Sequence, residues 1–175
     1  MSDPHQPPCR IGHGYDLHRL EPVAPDGRGR PFILAGVRFD HPLGPVGRSD
    51  GDALYHALTD ALLGAIGAPD IGRLFPDTDE RYEAADSAVF LAEAVRRMRG
   101  AGYQVGNVDI TVICERPRLG ERRDGMIANV ARLLGCDAAQ VSIKGKTHEG
   151  VDAVGEGRAV EVHAVALLVR SRTGA

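Results

Sequence analysis

The sequence predicts a single α+β domain with a mixed four-stranded main sheet and three helices on one of its faces. Three observations lead there. At 175 residues, the chain can bury roughly 70% of its unfolded surface in one core without disulfide staples. Runs rich in β-branched residues alternate with segments of helical periodicity in the order ββα, then αβ, then αββ, which is an α+β arrangement. No internal repeat or low-complexity stretch breaks that order.

Residues 1–9 are polar and proline-rich without an apolar centre, so they read as a disordered tail and exclude a secretory signal. The domain is expected over 10–171. Arg10 to His18 reads as a strand running into a loop. Glu21 to Pro31, rich in Pro, Gly and charge, reads as a flexible hairpin-like connection. Phe32 to Ala35 and Val37 to Phe39 flank Gly36 as short strands. A helix is expected from Ser49 to Gly64, with Ser49 as its cap and Asp50 and Asp52 at its positive end. Its apolar stripe is Leu54, Ala57, Leu58, Ala61 and Leu62. Ala68 to Asp79 is a long Pro- and Asp-containing loop, a class that is usually functional.

A second helix, Asp86 to Met98, carries capping residues and stops at Gly100 and Gly102. Val105 to Cys114 is a strand, ended before Pro117. A third helix, Arg122 to Leu134, ends at Gly135, and strands follow at Val141 to Thr147 and Arg158 to Arg170. The last strand becomes apolar on both faces, so the sheet face without helices is expected to pack against other subunits in a closed cyclic oligomer.

A net charge of −3, no Trp and 5% aromatic residues argue against a nucleic-acid partner bound by stacking on a basic surface. Cys9, Cys114 and Cys136 are odd in number, far apart and without a Cys-x-x-Cys, so neither a disulfide framework nor a thiolate zinc site is expected, and a reducing cytoplasm fits. No stretch is long and apolar enough to span a bilayer, so no membrane partner is expected.

Asp16, His18 and His56 carry the chemistry. Asp16 and His18 alternate on a strand and point the same way, and His56 lies on the first helix. Asp52, His56 and Asp60 recur every fourth residue on one helix face. An N2O set with an open position suits a catalytic zinc ion. Taken alone, Asp-x-His is more often a hydrogen-bonded surface pair, and a helical histidine is equally a satisfied polar residue.

Together, Ile11-Gly-His-Gly-Tyr-Asp-Leu-His18, Ser49 to Gly64, Asp70-Ile-Gly-Arg-Leu-Phe-Pro-Asp-Thr-Asp79 and Asp109-Ile-Thr-Val-Ile-Cys-Glu-Arg-Pro-Arg-Leu119 resemble the 2-C-methyl-D-erythritol 2,4-cyclodiphosphate synthase family of the non-mevalonate isoprenoid route. The likeness runs from about Arg10 to Val169. It implies a metal-dependent phosphorus–oxygen lyase. The 2-phosphate of 4-diphosphocytidyl-2-C-methyl-D-erythritol 2-phosphate attacks the β-phosphorus of the same molecule and expels CMP. No nucleophilic Ser/His/Asp or Cys/His set is apparent, which agrees with a substrate that carries its own nucleophile.

By this resemblance Asp16, His18 and His56 hold Zn2+, and Glu149 holds Mg2+ or Mn2+ against the phosphates. Thr147 donates to those phosphates. Cys114, Glu115, Arg116, Pro117, Arg118, Leu119 and Gly120 hold the cytidine side, closed by Gly145, Lys146, Thr147, His148 and Glu149. Asp70, Ile71, Gly72, Phe75, Pro76, Asp77, Thr78 and Asp79, with Asp16, His18, Arg48 and Ser49, hold the methylerythritol phosphate. The assembly implied is a homotrimer with its sheets around a three-fold axis and sites between adjacent subunits. Cys114 reads as small and buried, not reactive. His13, His41, His148 and His163 read as structural or surface residues.

Four positions depart from the family pattern. Arg48 stands where a phosphate-contacting histidine is common, so its catalytic role is expected to be purely electrostatic, because guanidinium carries no proton to and fro at neutral pH. Lys146 replaces a usual threonine. Ala153 and Glu156 stand where many members have Phe and Arg near a cavity on the trimer axis, so an isoprenoid diphosphate should bind poorly there. Two other readings of the same residues are a metal-dependent phosphohydrolase that activates water and a non-catalytic trimeric binding protein.

Overall fold

The computed structural model describes residues 7–76 and 78–171. Strand β1 (Cys9–Pro22) leads to the short β2 (Ile33–Leu34), β3 (Val37–Arg38) and β4 (Leu43–Pro45). Helices α1 (Ala53–Ala65), α2 (Ile71–Leu74) and α3 (Ala88–Gly100) follow. Then come β5 (Tyr103–Ile113), α4 (Arg123–Leu134), β6 (Val141–Lys146), α5 (Asp152–Gly155) and β7 (Ala159–Arg170). The main sheet has the order β4-β1-β7-β5-β6. Only β5 and β6 run parallel, so the sheet is mixed.

The sheet therefore has five strands where four were expected. The addition is β4, three residues long, which pairs Leu43 to Pro45 with the end of β1; a Leu-Gly-Pro tripeptide carries no period-two signal. The three long helices stand as expected, joined by two single-turn helices, α2 and α5. Cys9 opens β1 and the Pro8 carbonyl accepts from the Arg170 amide, so order begins before the expected domain start at residue 10. The rest of the expected tail, residues 1–6, lies outside the described residues.

The connection after β1 is anchored: Val23 bridges Gly29 and Arg28 pairs with Glu21. No helix among the described residues is long and apolar enough to cross a membrane.

Helix α1 lies at the centre, with ten of its thirteen residues buried. Burying leucines such as Leu54, Leu58 and Leu62 contributes about 1.5–3 kcal/mol each. The helix starts three residues later than expected, because its cap is Asp52 and not Ser49. Asp52 has no exposed surface and accepts from the Leu54 and Tyr55 amides, both at 3.1 Å. It also accepts from Ala35 at 3.0 Å and Gly36 at 2.7 Å, so one carboxylate ties the turn between β2 and β3 to the start of α1.

Gly12 and Gly14 let β1 lie directly on α1. A Cβ at Gly14 would fall 1.8 Å from the Ala57 carbonyl oxygen, and one at Gly12 would fall 1.9 Å from that of Ala61. Side chains alternate along a strand, so the next two positions on this helix-facing side are Asp16 and His18. The close contact thus delivers both against the helix that carries His56. The opposite sheet face exposes Ile11, Tyr15, Leu17 and Val165. It also carries His13 and His163, whose facing ring nitrogens are 3.1 Å apart.

Candidate metal centre and two cavities

Oδ2 of Asp16 lies 3.1 Å from Nδ1 of His18 and 3.2 Å from Nδ1 of His56. Among the described residues these three form the one group of His, Cys, Asp or Glu side chains converging closely enough to hold a metal ion, with ligand atoms within 4.8 Å of one another. Burial by itself would favour the neutral acid at Asp16. The hydrogen bonds and charges of His18 and His56 outweigh it and hold the carboxyl well below the usual range. Burial likewise opposes protonation of His18, but the bond to Asp16 and its charge prevail and raise it. An anionic oxygen between two imidazole nitrogens is a donor set that zinc accepts.

The centre borders a cavity of about 310 Å³ lined by Leu17, His18, Arg19, Val46, Gly47, Arg48, Ser49, His56, Ile71, Gly72, Phe75, Tyr82 and Phe90. Asp60, one turn beyond His56, accepts from the Ile71 amide at 2.8 Å and so fastens α2 to α1. Asp70 caps α2 through the Arg73 amide. Phe75 then packs on Phe90 and Tyr82, with ring centroids 4.7 and 5.4 Å away, which seats the loop beside the metal ligands. Arg48 is held at the cavity by Glu83, Nε to Oε2 at 3.2 Å.

A second cavity, about 790 Å³, collects Val112, Cys114, Pro117, Arg118, Leu119, Gly120, Arg123, Ile143, Lys144, Gly145, Lys146, Thr147 and Glu149. Four basic side chains line it, as an anionic ligand requires. Burial pushes the Cys114 thiol up to about 11, so it is inert at neutral pH.

Several expected site residues line neither cavity. Glu115 accepts from the His148 amide at 3.0 Å and pins the loop after β6, and His148 itself pairs with Asp152. The Arg116 carbonyl accepts from the Cys114 thiol. Asp79 accepts from the Arg81 amide, Pro76 and Thr78 are exposed, and Asp77 lies outside the described residues. Leu17, Gly47, Tyr82, Phe90, Arg123 and Lys144 were not anticipated; as core-like, glycine or surface-charge positions they carry no motif. No residue lines both cavities, so a single chain keeps the metal ligands apart from Thr147 and Glu149.

The YgbB family model matches residues 9–169. A 2-C-methyl-D-erythritol 2,4-cyclodiphosphate synthase of Aromatoleum aromaticum is 52% identical over 93% of this chain and 95% of its own length. The chloroplastic protein of that name from Oryza sativa is 48% identical over 93% of this chain and 71% of its own. A solved structure described as a CDP complex of Plasmodium falciparum IspF superposes with a TM-score of 0.81 at 37% identity, covering 94% of this chain and 97% of that one.

Proposed function

Because this chain belongs to the YgbB family and its curated relatives are 2-C-methyl-D-erythritol 2,4-cyclodiphosphate synthases, we propose how its two cavities divide that reaction between them. The enzyme acts in isoprenoid biosynthesis. It converts 4-diphosphocytidyl-2-C-methyl-D-erythritol 2-phosphate to the 2,4-cyclodiphosphate: a 2-phosphate oxygen bonds to the β-phosphorus, the β-phosphorus to bridging-oxygen bond breaks, and CMP leaves. Such transfer mainly needs alignment and charge neutralisation.

The observation that carries the proposal is the convergence of Asp16, His18 and His56 beside the loop seated by Asp60 and Phe75. Zn2+ held by these three, with Mg2+ or Mn2+ at Glu149, would supply positive charge to the reacting phosphates. Ser49 and the segment from Asp70 to Gly72 hold the methylerythritol phosphate. Arg48, oriented by Glu83, neutralises phosphate charge. Thr147, exposed just past β6, donates to the phosphates. Arg118, Lys146 and the main chain from Cys114 to Gly120 hold the cytidine diphosphate part, a placement supported by the relative described as a CDP complex.

Phosphorus NMR of products from the diphosphocytidyl substrate and Mg2+ tests this reading. Cyclodiphosphate with CMP supports it, and open-chain phosphates with CMP would mean hydrolysis instead.

The complete site forms between copies of a homotrimer. Support comes from the separation of the two cavities and from Ile11, Tyr15, Leu17 and Val165 exposed on the face opposite the helices. Light scattering should report three chains, and an active monomer would refute the shared site. We assign the enzyme to a reducing cytoplasm, in keeping with its free cysteines.

Proton and metal compete for the same ring nitrogen of His18. Its raised pKa puts that competition above the ordinary value of about 6.5. Metal affinity is therefore expected to fall about tenfold per pH unit below that raised value. The metal-free protein should show the opposite sign. Stability from protonated His18 is complete below about 6.5 and is lost as pH rises through the raised value. Chelator competition and metal-free urea titrations from pH 5 to 8 measure the two slopes.

A further inference from the structure

Behind His56 lie two polar residues that the reaction described above leaves without a task. Ser87 is fully buried and stands immediately before α3, where a serine usually caps the helix by accepting from an amide of its first turn. It makes no such bond. Its Oγ lies 2.8 Å from Nε2 of His56 and donates to Oδ1 of Asp50. Oδ2 of Asp50 accepts the Ser87 amide at 3.1 Å, which locks the pair together.

The direction of these bonds follows from the groups involved. A carboxylate only accepts, so the single hydroxyl proton of Ser87 goes to Asp50 and the Oγ lone pairs face the imidazole. Nε2 of His56 is then the N–H nitrogen. That leaves Nδ1 as the nitrogen for a metal ion, on the side where Oδ2 of Asp16 lies 3.2 Å away. Ser49 Oγ, 3.2 Å from Nε2, is a second acceptor on the same side of the ring.

We propose that Ser87 and Asp50 are positioning residues that fix the tautomer and ring orientation of His56, so that Nδ1 is presented to a divalent metal ion with Asp16 and His18. The proposal rests on the reading of those three residues as the metal centre. It gives the fully buried Ser87 a purpose other than helix capping. Partners of this kind raise the basicity of a ligating histidine, and their loss typically weakens metal binding by about 10- to 100-fold.

The test compares wild-type protein with Ser87→Ala and Asp50→Asn, titrated with Zn2+ against a chromophoric chelator and separately with Co2+ followed by visible absorption. Wild type should bind one ion per chain. Ser87→Ala should bind about 10- to 100-fold more weakly, with an altered cobalt spectrum. The metal-free melting temperature should fall by only a few degrees, because Asp50 and His56 each lose a bond to the hydroxyl while the helix loses no cap bond. Asp50→Asn, which keeps shape but lets the side chain donate, should weaken binding in the same direction. Wild-type affinity and an unchanged cobalt spectrum in both variants would overturn the positioning role. Failure of wild type to bind an ion that depends on His56 would overturn the metal centre itself, a separate result.

Discussion

Replacing His56 with alanine should leave a folded protein that retains no tightly bound zinc and turns over at least about a thousandfold more slowly. The ring is not part of the apolar core. Its hydrogen-bond partners are Asp16, Ser49 and Ser87 and its ring neighbours His18 and Phe90, while α1 is held by Leu54, Leu58 and Leu62 on its buried side. Truncation therefore removes a ligand without removing the packing that holds the helix. Asp16 and His18 remain as a two-ligand remnant on β1, too few for a stable zinc site. Elemental analysis, far-ultraviolet circular dichroism and a kcat determination on one preparation decide the matter. Full activity without zinc would show that the three residues do not form the reactive centre.

The second large effect is on stability. Asp52→Ala should destabilise the protein by about 3–5 kcal/mol, because four amides lose a buried acceptor and each orphaned donor costs about 1–3 kcal/mol before relief of the buried charge is counted. The four donors belong to Ala35, Gly36, Leu54 and Tyr55, so both the β2–β3 turn and the first turn of α1 come loose. For a chain of this length each kcal/mol lowers the melting temperature by roughly 2–4 °C, so a fall of about 10 °C is expected. Asp52→Asn keeps one acceptor oxygen and should lose about half as much. A melting temperature unchanged in Asp52→Ala at equal protein concentration would mean that the bridge between turn and helix does not hold them.

Legibility in the sequence followed the physics of each element. Asp16 and His18 could be placed together from the alternation of a strand alone, and His56 from its fourth-residue spacing with Asp52 and Asp60 on α1. Their meeting depends on Gly12 and Gly14, whose missing Cβ atoms bring β1 onto the Ala57 and Ala61 carbonyls; no periodicity announces a contact of that kind. Ser49 looked like the helix cap because serine usually is one, yet its hydroxyl accepts from the Gly51 amide and the capping passes to Asp52. Ser87 misleads in the same way, since it sits at a cap position and bonds to a histidine 31 residues away. Strand β4 escaped because edge pairing with β1, and not residue type, makes Leu43 to Pro45 extended. Nor could sequence spacing tell that Thr147 and Glu149 would line a cavity apart from the metal ligands.

Anomalous diffraction at the zinc absorption edge from crystals of the zinc-loaded enzyme tests the central claim most directly. The account predicts one strong peak per chain within about 2.0–2.2 Å of an Asp16 oxygen and of Nδ1 in both His18 and His56. A peak elsewhere, or none at this site in active protein, would contradict it.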